Sequence, residues 1–147
     1  MVSDDESRAN RKKFLAVMRR PAFFMLVNFF LVNTLFAFVP WGLGDIAYHI
    51  GRTSIIFYSG LLVVRKNLGG VRHAAAAGVL MYFIDHVVLK GGVFLLNYLF
   101  HPGGLGLAAF GSVIASFIMF IPLAMLIGAA GGWYARSTMT RSSAGPQ

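Results

Sequence analysis

Cysteine is absent from this chain of 147 residues. Its absence excludes disulfide bonds, thiolate nucleophiles and cysteine-ligated metal centres. The sequence also has no HExxH zinc signature, no Walker phosphate-binding loop and no motif that would activate one of its serines as a nucleophile. We therefore expect no enzymatic activity, no metal site and no cofactor.

Charged residues are scarce, and acidic ones are the scarcest. Only 12% of the chain is charged, against about 25% in an average soluble domain. Hydrophobic residues make up 57% of the chain and the mean hydropathy is +0.70, which is typical of membrane proteins. The net charge is +8, and the basic residues lie almost wholly between or outside the apolar runs, where they indicate membrane topology and lipid contact. We expect no nucleic-acid partner.

Four long apolar runs account for most of the chain. Each has about twenty residues or more, the length that a helix needs to cross about 30 Å of hydrocarbon. The runs cover about residues 21–42, 45–64, 73–98 and 105–134. They predict an all-α integral membrane protein with a four-helix bundle over residues 21–135. Residues 1–20 are expected to form a short basic amphipathic helix in the cytoplasm, and residues 136–147 a disordered cytoplasmic tail.

Basic residues alternate between the two sides of the predicted bundle. They occur before the first span, between the second and third spans, and after the fourth span, whereas the other two connections have none. Cytoplasmic loops carry an excess of Lys and Arg, so both termini are expected in the cytoplasm. The expected location is a bacterial plasma membrane, with anionic lipids against the basic face.

Six ionisable side chains of the second and third runs form a candidate polar cluster. They are Asp45, His49, Arg52, Asp85, His86 and Lys90. A charge at the centre of a spanning helix costs about 3 kcal/mol, so these side chains should face protein or water. Because the two spans are antiparallel, Arg52 and Asp85 lie at similar depths and are able to pair. Two interpretations remain open: the pair sets helix register, or Asp85, His86 and Lys90 form a proton relay or anion site.

Small residues at four-residue spacing predict close helix packing. Gly70, Ala74 and Gly78 form such a ridge on the third run, and Gly128 and Gly132 form a GxxxG spacing on the fourth.

Other polar and glycine residues modify these helices. Asn28 and Asn33 in the first run are expected to hydrogen-bond a neighbouring helix. Gly91 and Gly92 are expected to loosen the third helix, because glycine is a poor helix former.

Two functions remain open at this stage. The first is a binding or assembly subunit of a membrane complex, in a homo- or hetero-oligomer with other membrane proteins. The alternative is a small oligomeric transporter or channel that uses the six ionisable residues. The first is favoured because polar residues confined mostly to one half of the bundle do not form a route across it. Haem ligation by His49 and His86 is disfavoured because their expected depths differ.

Overall fold

The computed structural model describes residues 4–35, 41–100 and 106–143. Within these ranges the secondary structure is helical, which confirms the all-α prediction. The elements are α1 (Asp4–Leu35), α2 (Trp41–Arg65), α3 (Val71–Phe83), a π-helical segment (Ile84–Lys90), α4 (Gly91–Phe100) and α5 (Gly106–Ser143). The π-helical segment joins α3 directly to α4, so these three elements form one continuous helix.

Three helices in the described ranges are long and apolar enough to cross a membrane. They cover Arg8–Leu35, Val71–Phe100 and Gly111–Thr140. Helix α2 has 25 residues but is not among them, because Asp45, His49 and Arg52 lower the hydropathy of its first half. The chain is therefore a helical protein with three candidate membrane spans, and the fourth crossing remains a prediction.

The N-terminal basic segment is not a separate helix, contrary to the prediction for residues 1–20. Helix α1 continues from Asp4 to Leu35 through Pro21. Proline is tolerated inside membrane helices where neighbouring groups satisfy the carbonyl that it leaves free, and Pro21 is buried against the rest of the chain. The second helix also starts earlier than the apolar run predicted from about residue 45, because α2 begins at Trp41.

The predicted disordered tail begins too early. Residues 136–143 continue α5 as helix, and residues 144–147 lie outside the described ranges. The hydroxyl groups of Ser137, Thr138 and Thr140 donate hydrogen bonds to carbonyl oxygens three or four residues earlier in the same helix. Such local bonds let a polar sequence remain helical.

Helix α2 contacts α1, α3 and α5. The ring contacts Phe24 to Tyr58 and Phe29 to Tyr48 show that α1 and α2 are antiparallel. The largest group of buried apolar residues draws on all four helices and includes Met25, Ile56 and Met81. The bundle therefore has a shared apolar core rather than independent helix pairs.

Glycines bring the backbones of α2, α3 and α5 into contact. We call Gly60, Gly78, Gly128 and Gly131 the glycine junction. A Cβ atom added at Gly60 would overlap the carbonyl oxygen of Gly128, and one at Gly131 would overlap that of Phe57. Close approach of this kind is what small residues permit in membrane helices.

The predicted packing ridges are only partly correct. Ala74 and Gly78 face Gly128, and Gly132 faces Ala74. Gly70 is exposed, and a Cβ atom there would meet nothing within 4 Å. It caps the N-terminus of α3, so its assignment to helix packing is wrong.

Candidate functional site

The π-helical segment carries three of the six ionisable residues: Asp85, His86 and Lys90. At its end the backbone N–H of Gly91 donates to the carbonyl oxygen of His86, five residues earlier. This bond is characteristic of a π turn, which holds one more residue than an α turn and often occurs at functional sites. The sequence placed the irregularity at Gly91 and Gly92, but both of these belong to α4.

Asp85 is completely buried. The hydroxyl group of Tyr48 on α2 donates a hydrogen bond to its Oδ1 atom. Its Oδ2 atom lies 3.6 Å from Nη1 of Arg52 and accepts no hydrogen bond from a described residue. A buried carboxylate with one direct donor and one ion pair links α2 to the π-helical segment, and removing either partner would leave a costly buried group.

Two cations surround the Tyr48 ring. The guanidinium carbon of Arg52 lies 5.9 Å from its centroid, and Nζ of Lys90 lies 4.8 Å from it. A cation over an aromatic face gains about 2 kcal/mol where it is desolvated. We call Tyr48, Arg52, Asp85 and Lys90 the Tyr48 cluster; it holds two cationic side chains and one carboxylate.

Arg52 has further contacts on α2 and α3. Its Nη2 atom lies 2.9 Å from Nδ1 of His49, and its guanidinium carbon lies 5.3 Å from the Tyr82 centroid. The side chain is only 16% exposed. These contacts fix the guanidinium group beside Asp85 rather than leaving it free to reach solvent.

His86 belongs to an aromatic stack rather than to the Tyr48 cluster. Its ring centroid lies 5.2 Å from that of Tyr82, which stacks in turn on Phe117 of α5 at 5.6 Å. Its Nδ1 atom is buried and has no hydrogen-bond partner among the described residues. Buried ring nitrogens usually have a partner, so His86 retains an unused hydrogen-bonding position.

The six predicted residues therefore separate into three groups. Arg52, Asp85 and Lys90 meet around Tyr48, and His49 joins them through Arg52. His86 lies in the aromatic stack. Asp45 is exposed and takes part in no ion pair with a described residue.

Tyr48 was missed by sequence reasoning, which considered only ionisable groups that are charged near neutral pH. One signal was available, because Tyr48 precedes Arg52 by four residues and so lies on the same side of α2.

Helix α1 contacts α2 next to the site, through Asn28. The side-chain amide of Asn28 donates to the carbonyl oxygen of Tyr48 at 3.4 Å. Gly51 lies directly beneath Asn28, where a Cβ atom would overlap the amide. Asn33 instead donates to Phe29 of its own helix at 2.6 Å, so the expected interhelical bond of Asn33 is not observed.

The site contains charged side chains, but the described residues do not form a cluster of metal-ligating side chains. Within the described ranges, no three His, Asp or Glu side chains come together as a metal site would require. The site consists of the buried Asp85 carboxylate near two cationic side chains, with the His86 imidazole close by in sequence and one of its nitrogens without a described hydrogen-bond partner. No protein-family model matches this chain, and no curated protein or solved structure is detectably similar to it.

Proposed function

We propose that this protein is a four-pass subunit of a complex in a bacterial plasma membrane, with both termini in the cytoplasm. Helix α2 is its binding element, and the partner is a different membrane protein. The observation that carries this proposal is a polar face on α2, formed by Asp45, His49 and Thr53. All three are exposed on the isolated chain.

The polar face needs a covering of protein or water. Its residues recur every four positions and therefore share one side of the helix. An uncovered charge deep in lipid costs about 3 kcal/mol. Helix α2 packs against three helices that are apolar enough to span, so it is expected to cross beside them. A partner helix with hydrogen-bonding side chains would cover this face.

Conduction through a single chain is less well supported. At the glycine junction the backbones of α2, α3 and α5 touch, and the added-atom overlaps at Gly60 and Gly78 leave no space between them. The Tyr48 cluster lies to one side of this contact along α2. A route for an ion would have to run between chains rather than through one.

A second function is favoured by one observation. Asp85 Oδ2 and His86 Nδ1 are both buried without hydrogen bonds from described residues. Both atoms are able to exchange a proton but lie inside one chain, so a proton would reach them only if the helices around them separated in an oligomer of this chain. We keep an oligomeric transporter as the alternative function.

The two functions differ in what the purified complex contains. Native mass spectrometry of the protein, gently extracted from its own membrane, should show a second polypeptide in fixed stoichiometry. The double variant Asp45→Ala with Thr53→Ala should lose that polypeptide and keep its melting temperature, because both side chains are exposed and neither is bonded to the Tyr48 cluster. Leu126→Ala is the control, since this α5 side chain is 67% exposed and outside the polar face.

A homo-oligomer without any foreign polypeptide would contradict the binding proposal. It would favour the transporter, and purified protein in liposomes should then show proton or chloride flux. Asp85→Asn should abolish that flux while the oligomer remains assembled. If Asp85→Asn leaves flux unchanged, the carboxylate is structural and the second function is also wrong.

A further inference from the structure

A groove of about 400 Å³ lies between the turn that joins α2 to α3 and the last turns of α5. Asn67 and Gly70 line it from the turn, Val64 from the end of α2, and Arg136 and Met139 from α5. The groove is distant along α2 from the Tyr48 cluster, and the proposed partner face does not include it.

The described ionisable side chains around the groove are all basic. Arg136 lines it, and Arg65, Lys66 and Arg72 are exposed on the same turn and its flanks. Asp45 and Asp85 belong to the Tyr48 end of the bundle. The other acidic residues, 4–6, are the first three residues of α1. Arg136 forms no ion pair with a described residue.

The lining of the groove is amphiphilic. Val64 and Met139 give it an apolar side, whereas the Asn67 amide and the Arg136 guanidinium give it hydrogen-bond donors. A phosphate ester attached to an acyl chain matches this division, since guanidinium groups bind phosphate oxygens by charge-assisted hydrogen bonds.

The aromatic residues of α5 indicate the depth of the groove in the membrane. Trp133 is 67% exposed and Tyr134 is 48% exposed, immediately before Arg136. Exposed Trp and Tyr are typical of the boundary between hydrocarbon and headgroups. The groove therefore lies at headgroup level, where the phosphate of a lipid is available at high local concentration.

We propose that this groove is a discrete site for an anionic phospholipid, with Arg136 and the Asn67 amide bound to its phosphate and its acyl chain against Val64 and Met139. This goes beyond general attraction between a basic face and an anionic leaflet, because the groove allows one lipid per chain. The proposal rests on the membrane location of α5 but not on the partner of α2.

Two variants and one control test the site on the full-length protein in detergent. Arg136→Gln removes the cation. Gly70→Leu fills the groove without removing charge, because a side chain at Gly70 meets open space and the backbone φ of −87° suits any residue. Lys66→Gln is the control, an exposed basic residue of the same turn that does not line the groove.

Phosphatidylglycerol should raise the melting temperature of the wild type and of Lys66→Gln, and one molecule should be retained per chain in native mass spectra. Phosphatidylcholine should do neither. Each groove variant should bind phosphatidylglycerol about tenfold more weakly, the effect of losing about 1.4 kcal/mol. Before lipid is added, Arg136→Gln should keep its melting temperature, whereas Gly70→Leu should melt slightly lower because leucine is a poorer N-cap than glycine.

Two results would overturn the proposal. Equal stabilisation of wild type, Arg136→Gln and Gly70→Leu by phosphatidylglycerol would mean that lipid binds diffusely. Stabilisation by inorganic phosphate as strong as that by phosphatidylglycerol would mean that the site takes free phosphate rather than lipid. Loss of the α2 partner in native spectra leaves these measurements unaffected, so the two proposals fail independently.

Discussion

The two halves of α2 are held to their neighbours by opposite means. In the second half, at the glycine junction, the backbone of α2 touches that of α5 because side chains are missing. In the first half, around Tyr48, the helices are joined by aromatic and charged side chains, and the facing helix widens into a π turn. The glycine junction should therefore lose stability when side-chain atoms are added, whereas the Tyr48 cluster should lose stability when one of its partners is removed.

Gly60→Leu should have the largest effect of the changes compared. Its new side chain would overlap the carbonyl oxygen and backbone of Gly128, and only separation of α2 from α5 would relieve the overlap. Overpacking costs typically about 1–3 kcal/mol and more where backbone must move, so we expect loss of the folded state. Circular dichroism melting in detergent measures it.

The matched control is Gly111→Leu, because a Cβ atom at Gly111 meets nothing within 4 Å. It should melt close to the wild type. If Gly60→Leu melts there as well, the backbones of α2 and α5 are not in contact and the contrast between the two halves of α2 disappears.

Asp85→Ala should be the most damaging change in the Tyr48 cluster. It leaves Arg52 without its counter-ion and the Tyr48 hydroxyl without its acceptor. Breaking a buried ion pair costs about 3 kcal/mol or more, with some reduction because Arg52 is partly exposed. Chemical denaturation in mild detergent gives the free energy of unfolding.

Replacing both charges tests whether the pair is structural. Arg52→Met with Asp85→Leu should recover most of the stability lost in Asp85→Ala, because the guanidinium group is no longer left without its counter-ion, while Lys90 keeps its contact with the Tyr48 ring. Full stability of Asp85→Ala on its own would show that Arg52 needs no counter-ion, and the cluster would then not hold α2 to the π-helical segment. Asp45→Ala is the exposed-carboxylate control and should be neutral.

Tyr48→Phe tests how much the hydrogen bond of Tyr48 contributes to stability apart from the contacts of its ring. The variant keeps the packing against Phe29 and the ring beneath Lys90 but loses the donor to Asp85. A hydrogen bond to a charged group contributes about 2 kcal/mol, and we expect that loss in the free energy of unfolding. Tyr82→Phe should change little, since the Tyr82 hydroxyl donates to no described residue. Equal losses in both variants would assign the effect to the rings.

The sequence predicted part of this site for a clear physical reason. Arg52 and Asp85 are conspicuous because charge is rare in apolar runs, and antiparallel spans place them at one depth. Gly128 and Gly132 were equally visible, since their four-residue spacing is a packing signal. The sequence therefore predicted features whose energetic effect depends on nearby residues alone: charges that are costly in an apolar run, and small residues that favour helix packing.

The features that were missed depend on the partner helix. Gly60 has no small residue four positions away, so only its contact with Gly128 reveals its role. The π turn ends at Lys90, before the glycines expected to cause it. Asp85 in this segment meets Tyr48 of α2, and this fit between two helices is not encoded in either stretch alone.

Asn28 provides the smallest test of the comparison, because it acts on α2 from the other side. Its amide donates to the Tyr48 carbonyl oxygen and packs over Gly51. Interhelical hydrogen bonds in membranes contribute about 0.6 kcal/mol on average, so Asn28→Ala should lose about that much in the free energy of unfolding. Asn33→Ala removes only a bond within α1 and should lose less. If Asn28→Ala destabilises as much as Tyr48→Phe, then α1 is an integral part of the Tyr48 cluster, and the cluster joins three helices rather than two.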